Sequence, residues 1–189
     1  MFICVHLWLN PHVRSRSSAP KLSTEHQLYL SAQRALMRRA YSLHDMRAYL
    51  ERRAENIELI PAVIARLREL HYLDDVRYAL DFARSRVHSH RGRFRIAREL
   101  RARGVPDAHI EAALNAVFAE TDEASLVRAR LKRRLARLRG PLDRRKLASL
   151  YRSLLTAGFS SDVIRAELRT VTRGDLPDIS DAPDSDSES

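Results

Sequence analysis

The stretch that decides the fold runs from Ile96 to Val117 and reads IARELRARGVPDAHIEAALNAV. On either side of Gly104-Val105, large apolar residues recur at spacings of three and four, which predicts two helices joined by a short turn. Gly104 stands where a helix end needs a residue that is free to adopt a positive φ. Pro106 suits the start of the next helix. The stretch therefore predicts a helix pair.

The same apolar pattern occurs three times along the chain. Its positions are Ile96, Leu100, Ile110, Leu114 and Val117, then Met46, Leu50, Ile60, Ile64 and Leu67 at an offset of 50, then Leu150, Leu154, Ile164, Leu168 and Val171 at an offset of 54. All are large apolar residues, although apolar residues make up only 44% of the chain. Gly104 recurs as Gly158, whereas the first copy has Ala54 there. Such self-similarity is typical of a helical-repeat array.

We therefore predict an all-α fold in which three tandem three-helix repeats form an elongated, curved array. The repeats span residues 24–73, 74–120 and 121–173. The predicted helices are 24–39, 42–54 and 57–70, then 75–88, 92–103 and 107–118, then 122–138, 142–157 and 161–171. Gly140-Pro141 separates two helices of the third repeat, and Ser42 with Asp45 resembles a capping box.

The two ends of the chain differ from the repeats in composition. Residues 1–23 are expected to form a disordered extension, and residues 174–189 a disordered acidic tail with six acidic residues and no basic ones. The remaining residues 1–173 carry a net charge of +16. Such a basic body favours a polyanion or an acidic protein as its partner. The tail is a candidate to cover part of that basic surface.

The apolar runs and the single cysteine restrict where the protein works. No apolar run reaches the roughly 18–20 residues of a membrane span, so no membrane partner is expected. Cys4 is the only cysteine, which excludes an internal disulfide and a cysteine-rich zinc site. We expect a monomer in the cytoplasm.

The arginines of two predicted helices are candidate contacts for that partner. Around the helix 92–103, Arg91, Arg95 and Arg98 are predicted to lie opposite the apolar face, as a row of guanidinium groups for phosphates or carboxylates. The helix 122–138 carries Arg130, Arg133 and Arg137 in a similar stripe. A solvated surface, or for the second helix a repeat junction, would use the same residues.

The sequence contains no arrangement that is typical of catalysis. None of the glycines lies in a phosphate-binding loop, and no His-Glu-x-x-His motif is present. His88 and His90 lack a nearby carboxylate or thiol, which favours solvated histidines over metal ligands. Asp74 and Asp75 precede a predicted helix, so capping explains them better than acid–base chemistry. We therefore predict a binding protein with no catalytic residue, cofactor or metal.

The run Tyr72–Ala79 (YLDDVRYA) resembles the RecX family of bacterial recombination regulators. The similarity continues at Phe82, Arg86, Gly92, Ile96, Glu99-Leu100, Gly104-Val105 and Ile110–Leu114. The three-unit organisation covers about residues 24–171. Ala54, the extension and the acidic tail depart from the family pattern, and none of them lies in the central motif.

The resemblance implies a mechanism. RecX-like proteins bind the RecA filament on single-stranded DNA, lie along its groove, restrain its growth and lower the ATPase, strand-exchange and co-protease activities of RecA. This would make the protein a regulator of homologous recombination and the SOS response. The implied partner contacts are Arg77, Arg84, Arg86, Arg91, Arg95 and Arg98. Tyr78 and Phe82 are expected to pack in the core.

Two other classes of function remain open from the sequence. Helix pairs with short turns also fit a general module that binds single- or double-stranded DNA without RecA. A helical scaffold for another acidic protein is the third possibility. A direct DNA binder should show a salt-dependent affinity in the absence of RecA, whereas a filament regulator should need RecA for its main effect.

Overall fold

The structure is a computed structural model that describes residues 21–172, and this part of the chain consists of helices and short connections. The helices are α1 (Glu25–Leu36), α2 (Leu43–Glu51), α3 (Ile60–Glu69), α4 (Asp75–His88), α5 (Arg93–Arg101), α6 (Asp107–Glu120), α7 (Glu123–Leu135), α8 (Arg144–Ala157) and α9 (Ser161–Thr172). Within residues 21–172 no strand forms beyond a single bridge between Leu22 and Ala54. The all-α prediction is confirmed.

The helices pack as three successive units, α1–α3, α4–α6 and α7–α9. The closest helix pairs, such as α4 with α6 and α7 with α9, lie inside one unit. Fourteen of the fifteen repeated apolar positions are buried; the exception, Val171, is 38% exposed in the last turn of α9. The buried side chains of the second and third units form one continuous core, whereas those of the first unit form a separate one. The predicted array of three-helix repeats is confirmed.

Side chains at the helix starts explain where the helices begin. The Ser42 hydroxyl accepts the Asp45 N–H at 3.1 Å, so one half of the predicted capping box is present. Asp74 caps α4 by accepting the N–H groups of Val76 and Arg77. Asp75 does not cap its own helix. Its carboxylate accepts the N–H of Leu43 at 2.9 Å, so it caps α2 of the neighbouring unit.

Several helices are shorter than the sequence predicts. The predicted helix 122–138 ends at Leu135, and Leu138 lies in the following turn, 37% exposed. The predicted helix 57–70 begins with a short 3₁₀ turn, Ile57–Leu59, before α3. In both cases hydrogen bonds of the i→i+3 kind tighten the end of the helix, which apolar spacing alone does not reveal.

The same contact joins each unit to what precedes it. In each unit a carbonyl at the end of the middle helix or just past it accepts a hydrogen bond from the preceding segment. The three pairs are Arg53 with the Leu22 N–H at 2.7 Å, Arg103 with the Ser42 hydroxyl at 2.7 Å, and Ala157, the last residue of its longer helix α8, with the Gly92 N–H at 2.9 Å. The three acceptor residues, Arg53, Arg103 and Ala157, are separated by 50 and 54 residues, which are the offsets of the apolar pattern. The repeat therefore includes its own junction.

The first unit shows how the chain starts the array. It is the first unit within residues 21–172, and the segment around Leu22 takes the place that a preceding middle helix takes at the other two junctions. Leu22 was expected in the disordered extension, but its N–H and carbonyl bond to Arg53 and Glu55. Residues 1–20 and the acidic tail lie outside the described residues. No helix in residues 21–172 is long and apolar enough to cross a membrane.

Candidate binding surface

Half-buried Glu99 on α5 holds two of the predicted contact arginines. The Arg95 Nε donates to one oxygen of Glu99 at 2.8 Å, and the Arg86 Nε lies 2.8 Å from the other. Arg95 also donates to the carbonyl of Thr156 in the third unit at 3.2 Å. Burial raises the pKa of Glu99, but the Arg95 hydrogen bond and the positive charges of Arg86, Arg95 and Arg91 outweigh it and hold the pKa below its usual range. Arg95 therefore links the second unit to the third, and Arg86 holds Glu99 in place within the second unit.

The row of arginines predicted along the central helix does not form. Arg91 precedes α5, whose first residue is Arg93, and its N–H bonds to the Arg86 carbonyl. Arg95 is turned into the Glu99 network, which leaves Arg98 exposed. The helix begins close to the predicted start, with Gly92 as its N-cap, so the row fails because Arg91 lies outside the helix and Arg95 is held by Glu99.

An aromatic residue occupies the outer face of α5. Phe94 is 63% exposed, and Arg98 follows it one helical turn later. Its N–H donates to the Gly158 carbonyl at 3.0 Å, so the junction fixes its backbone. Sequence reasoning missed Phe94, although its spacing of two from Ile96 places it off the buried face of the helix.

Two other arginines of α4 that were predicted to contact the partner, Arg77 and Arg84, are exposed. Arg77 makes only a solvent-exposed ion pair with Asp81 at 3.8 Å, and Arg84 makes no ion pair with another described residue. Exposed pairs of this kind contribute little to stability, so both cations are free to meet a partner. Tyr78 and Phe82 stack with ring centroids 6.0 Å apart and pack, partly buried, against the core, as predicted.

The arginines of α7 meet those of α5 at the same junction. Arg130 donates to the His90 carbonyl at 3.4 Å, and its buried Nε has no hydrogen-bond partner among the described residues. Burial, and then the charges of Arg91, Arg134, Arg133 and Arg95, lower the pKa of Arg130. We call these five residues the junction cluster: Arg91, Arg95, Arg130, Arg133 and Arg134. Such a concentration of cations favours an anionic partner.

The start of α8 adds cations that the sequence analysis did not single out. Arg137, which was predicted, is exposed between α7 and α8, and Arg144 and Arg145 open α8 as exposed residues. Asp143 precedes them and accepts the Lys146 N–H at 2.7 Å, so it serves as the cap of α8. The near-absence of acidic residues from this part of the sequence could have identified these cations as candidates. No group of three potential metal ligands occurs in residues 21–172.

The three repeats and their arginine-rich surface define a basic helical-repeat protein. The family description "RecX, second three-helix domain" matches residues 74–114. A Regulatory protein RecX from Halorhodospira halophila is 37% identical over 136 residues, which are 72% of this chain and 83% of that protein. The chain belongs to the RecX family. Another Regulatory protein RecX, from Deinococcus radiodurans, is 34% identical over 170 residues, 86% of this chain and 78% of that protein.

A solved structure has the same fold. The crystal structure of RecX from Lactobacillus salivarius aligns with a TM-score of 0.65 at 21% identity, and the alignment covers 79% of this chain and 97% of that one. At this identity the likeness concerns the arrangement of helices alone. It agrees with the three successive three-helix units described above.

Proposed function

We propose that the protein binds the RecA filament assembled on single-stranded DNA and lowers the ATPase, strand-exchange and co-protease activities of RecA. It would lie in the filament groove and limit filament growth. On this proposal it is a monomeric, cytoplasmic regulator of homologous recombination and the SOS response with no catalytic chemistry of its own. Membership of a family whose relatives are called regulatory proteins supports the proposal.

The outer face of α5 is the observation that carries the proposal. An exposed aromatic side chain beside an arginine is the composition found at the energetic centres of protein–protein interfaces. Phe94 and Arg98 provide that pair, and their helix is held rigidly by the Glu99 network and the Gly158 junction. A rigid anchor loses little conformational entropy on binding.

The predicted arginines then divide into two roles. Arg77, Arg84, Arg98, Arg133 and Arg137 are exposed and are proposed to contact the filament directly. Arg95 and the half-buried Arg130 contact residues across the junction of the second and third units, and Arg86 holds Glu99 within the second unit. These three and Arg91 add to the positive potential of the surface. An extended array suits a filament because its successive units can contact successive subunits.

Co-sedimentation with RecA filaments tests this proposal. The protein should pellet with RecA, ATP and single-stranded DNA, and at 0.2 M salt it should pellet far less with the DNA alone. Replacing Phe94 by Ala should weaken co-sedimentation by ten-fold or more, since an anchor residue contributes about 2 kcal/mol. Ile57→Ala is the matched control, because Ile57 is 64% exposed on the first unit. Equal pelleting with and without RecA would contradict the proposal and favour the general DNA-binding module.

A further inference from the structure

The hairpin formed by α7 and α8 carries the densest charge in the described chain. Between residues 124 and 160 there are eleven basic residues and one acidic residue, Asp143. The basic residues are Arg128, Arg130, Lys132, Arg133, Arg134, Arg137, Arg139, Arg144, Arg145, Lys146 and Arg152. Arg128 pairs with Asp122 and Glu167 outside this range, and Asp143 serves as the cap of α8, so the other ten cations have no carboxylate partner among the described residues.

Unpaired cations are more concentrated on this hairpin than elsewhere in the described chain, although the arginines of the first unit also lack ion pairs. In the second unit, Arg86, Arg95 and Arg101 each lie within 2.8 Å of a carboxylate. Among the residues that the structure describes, no carboxylate lies within 4.0 Å of any of the nine basic side chains from Lys132 to Arg152. Placing nine unpaired cations on one hairpin is electrostatically unfavourable unless an anion binds there.

A groove between the two helices gathers some of these side chains. Its volume is about 180 Å³, and it is lined by Arg134, Arg137, Leu138, Lys146, Ser149 and Leu150. The Arg134 guanidinium donates to the Ser153 hydroxyl at 2.8 Å, and the Lys146 ammonium donates to the carbonyls of Arg139 and Pro141 at 3.0 and 2.6 Å. Two of the groove's cations are therefore already held in place in the absence of a ligand.

We propose that this hairpin is a binding site for the phosphate backbone of a nucleic acid. Protein interfaces have apolar, aromatic centres from which charged residues are depleted, whereas nucleic-acid interfaces are polar and strongly positive. From Lys132 to Arg152 the only strongly exposed large apolar side chain is Leu138. No exposed aromatic ring lies there to stack on a base, so the hairpin contacts phosphates and does not read sequence. The site includes Arg133 and Arg137, which the proposed function places against the DNA-containing filament, but it is distinct from the Phe94 face and binds nucleic acid without RecA.

Titration of the protein with labelled 30-nucleotide DNA, single-stranded or duplex, tests the site in the absence of RecA. One variant replaces Arg137, Arg139, Arg144 and Arg145 by Gln. Its matched control replaces Arg34, Arg38, Arg47 and Arg52 by Gln. All eight are exposed, and none makes a side-chain hydrogen bond or ion pair to another described residue, so both variants should fold. Each variant loses four of the ten net positive charges.

The salt dependence of the affinity for DNA shows whether the hairpin contacts phosphates. Loss of four phosphate contacts should make the plot of log affinity against log salt shallower by about 3 for the hairpin variant, and by less than about 1 for the control. The form of DNA, single-stranded or duplex, whose salt slope changes more is the form that the hairpin prefers. Equal changes in the two variants would overturn the proposal, because the charge would then act diffusely. A hairpin variant that binds DNA normally but no longer co-sediments with RecA filaments would instead make the hairpin a protein surface.

Discussion

Glu99 is the residue on which the arrangement of the surface arginines depends. It is the one carboxylate that Arg86 and Arg95 share, and its side chain is 22% exposed. With Glu99 present, both guanidinium groups are drawn inward and the outer face of α5 is left to Phe94 and Arg98. The division between structural and partner-facing arginines thus follows in part from one half-buried acid. Periodicity alone could not predict it, because Arg95 and Arg98 have the same chemistry and lie three residues apart.

Replacing Glu99 by Gln should lower the free energy of unfolding at pH 7 by about 1–2 kcal/mol, because two half-buried cations lose their shared anion. The pKa of Glu99 is lower in the folded protein, so this stabilisation is present above the unfolded-state pKa of about 4.3 and is lost as the pH falls through the folded-state pKa. Urea unfolding at pH 7 and pH 3 measures both effects. Asp81→Asn, in an exposed pair, should change stability by less than about 0.5 kcal/mol. Equal stability of the wild type and Glu99→Gln at pH 7 would exclude this role.

The middle helices and their closing turns form the element that repeats most faithfully. Gly104 and Gly158 have φ of +66° and +89°, and both turns receive the preceding unit's middle helix. A Cβ on Gly158 would lie 2.3 Å from the Arg95 N, which only a glycine avoids. Ala54 can replace glycine in the first unit because the Leu22 segment, and not a helix, packs there. The departure at Ala54 that the sequence showed is therefore explained by the position of its unit at the start of the array.

Gly158→Ala should destabilise the protein by about 2–4 kcal/mol and open the junction of the second and third units. The substitution combines a left-handed backbone with a steric clash against a helix backbone. Gly140→Ala is the matched control. Gly140 also has a positive φ, of +75°, but the atom nearest to an added Cβ would be the Lys146 Nζ at 3.6 Å, which is an ordinary van der Waals distance. The Gly140→Ala substitution should cost only about 1 kcal/mol. Thermal unfolding measures the loss of stability in each variant, and hydrogen exchange of the Gly92 and Phe94 amides measures the opening of the junction. Equal losses of stability in the two variants would argue against a close junction.

At the scale of the whole molecule, the sequence predicted the array and its core because both depend on local periodicity. Burial at fourteen of fifteen repeated positions follows from spacings that can be read directly from the chain. The binding surface was predicted only in part. Contacts between residues far apart in sequence, such as Asp75 with Leu43 and Arg95 with Thr156, decide which charges remain free, and no local pattern encodes them. The low acid content of the α7–α8 hairpin was visible in the sequence, but only the structure shows that Asp122 and Glu167 pair with Arg128 and leave the other cations of the hairpin without a carboxylate partner among the described residues.

The protein is a basic helical array with two candidate binding surfaces. The Phe94 face is proposed to contact the RecA filament, and the α7–α8 hairpin is proposed to contact nucleic-acid phosphates. The two surfaces lie near the hydrogen-bonded junction between the second and third units, which share one core. An array of this kind could engage protein and nucleic acid at the same time, which would raise its overall affinity for a protein–DNA filament.

The rate of ATP hydrolysis by RecA on single-stranded DNA tests the central claim most directly. With RecA, ATP and DNA held constant, adding the protein over a range of concentrations should slow hydrolysis progressively, because filament growth is limited. The Phe94→Ala variant should need a higher concentration for the same effect, and Ile57→Ala should behave as the wild type does. A rate of hydrolysis that stays unchanged at every concentration of the wild-type protein would contradict the proposed function.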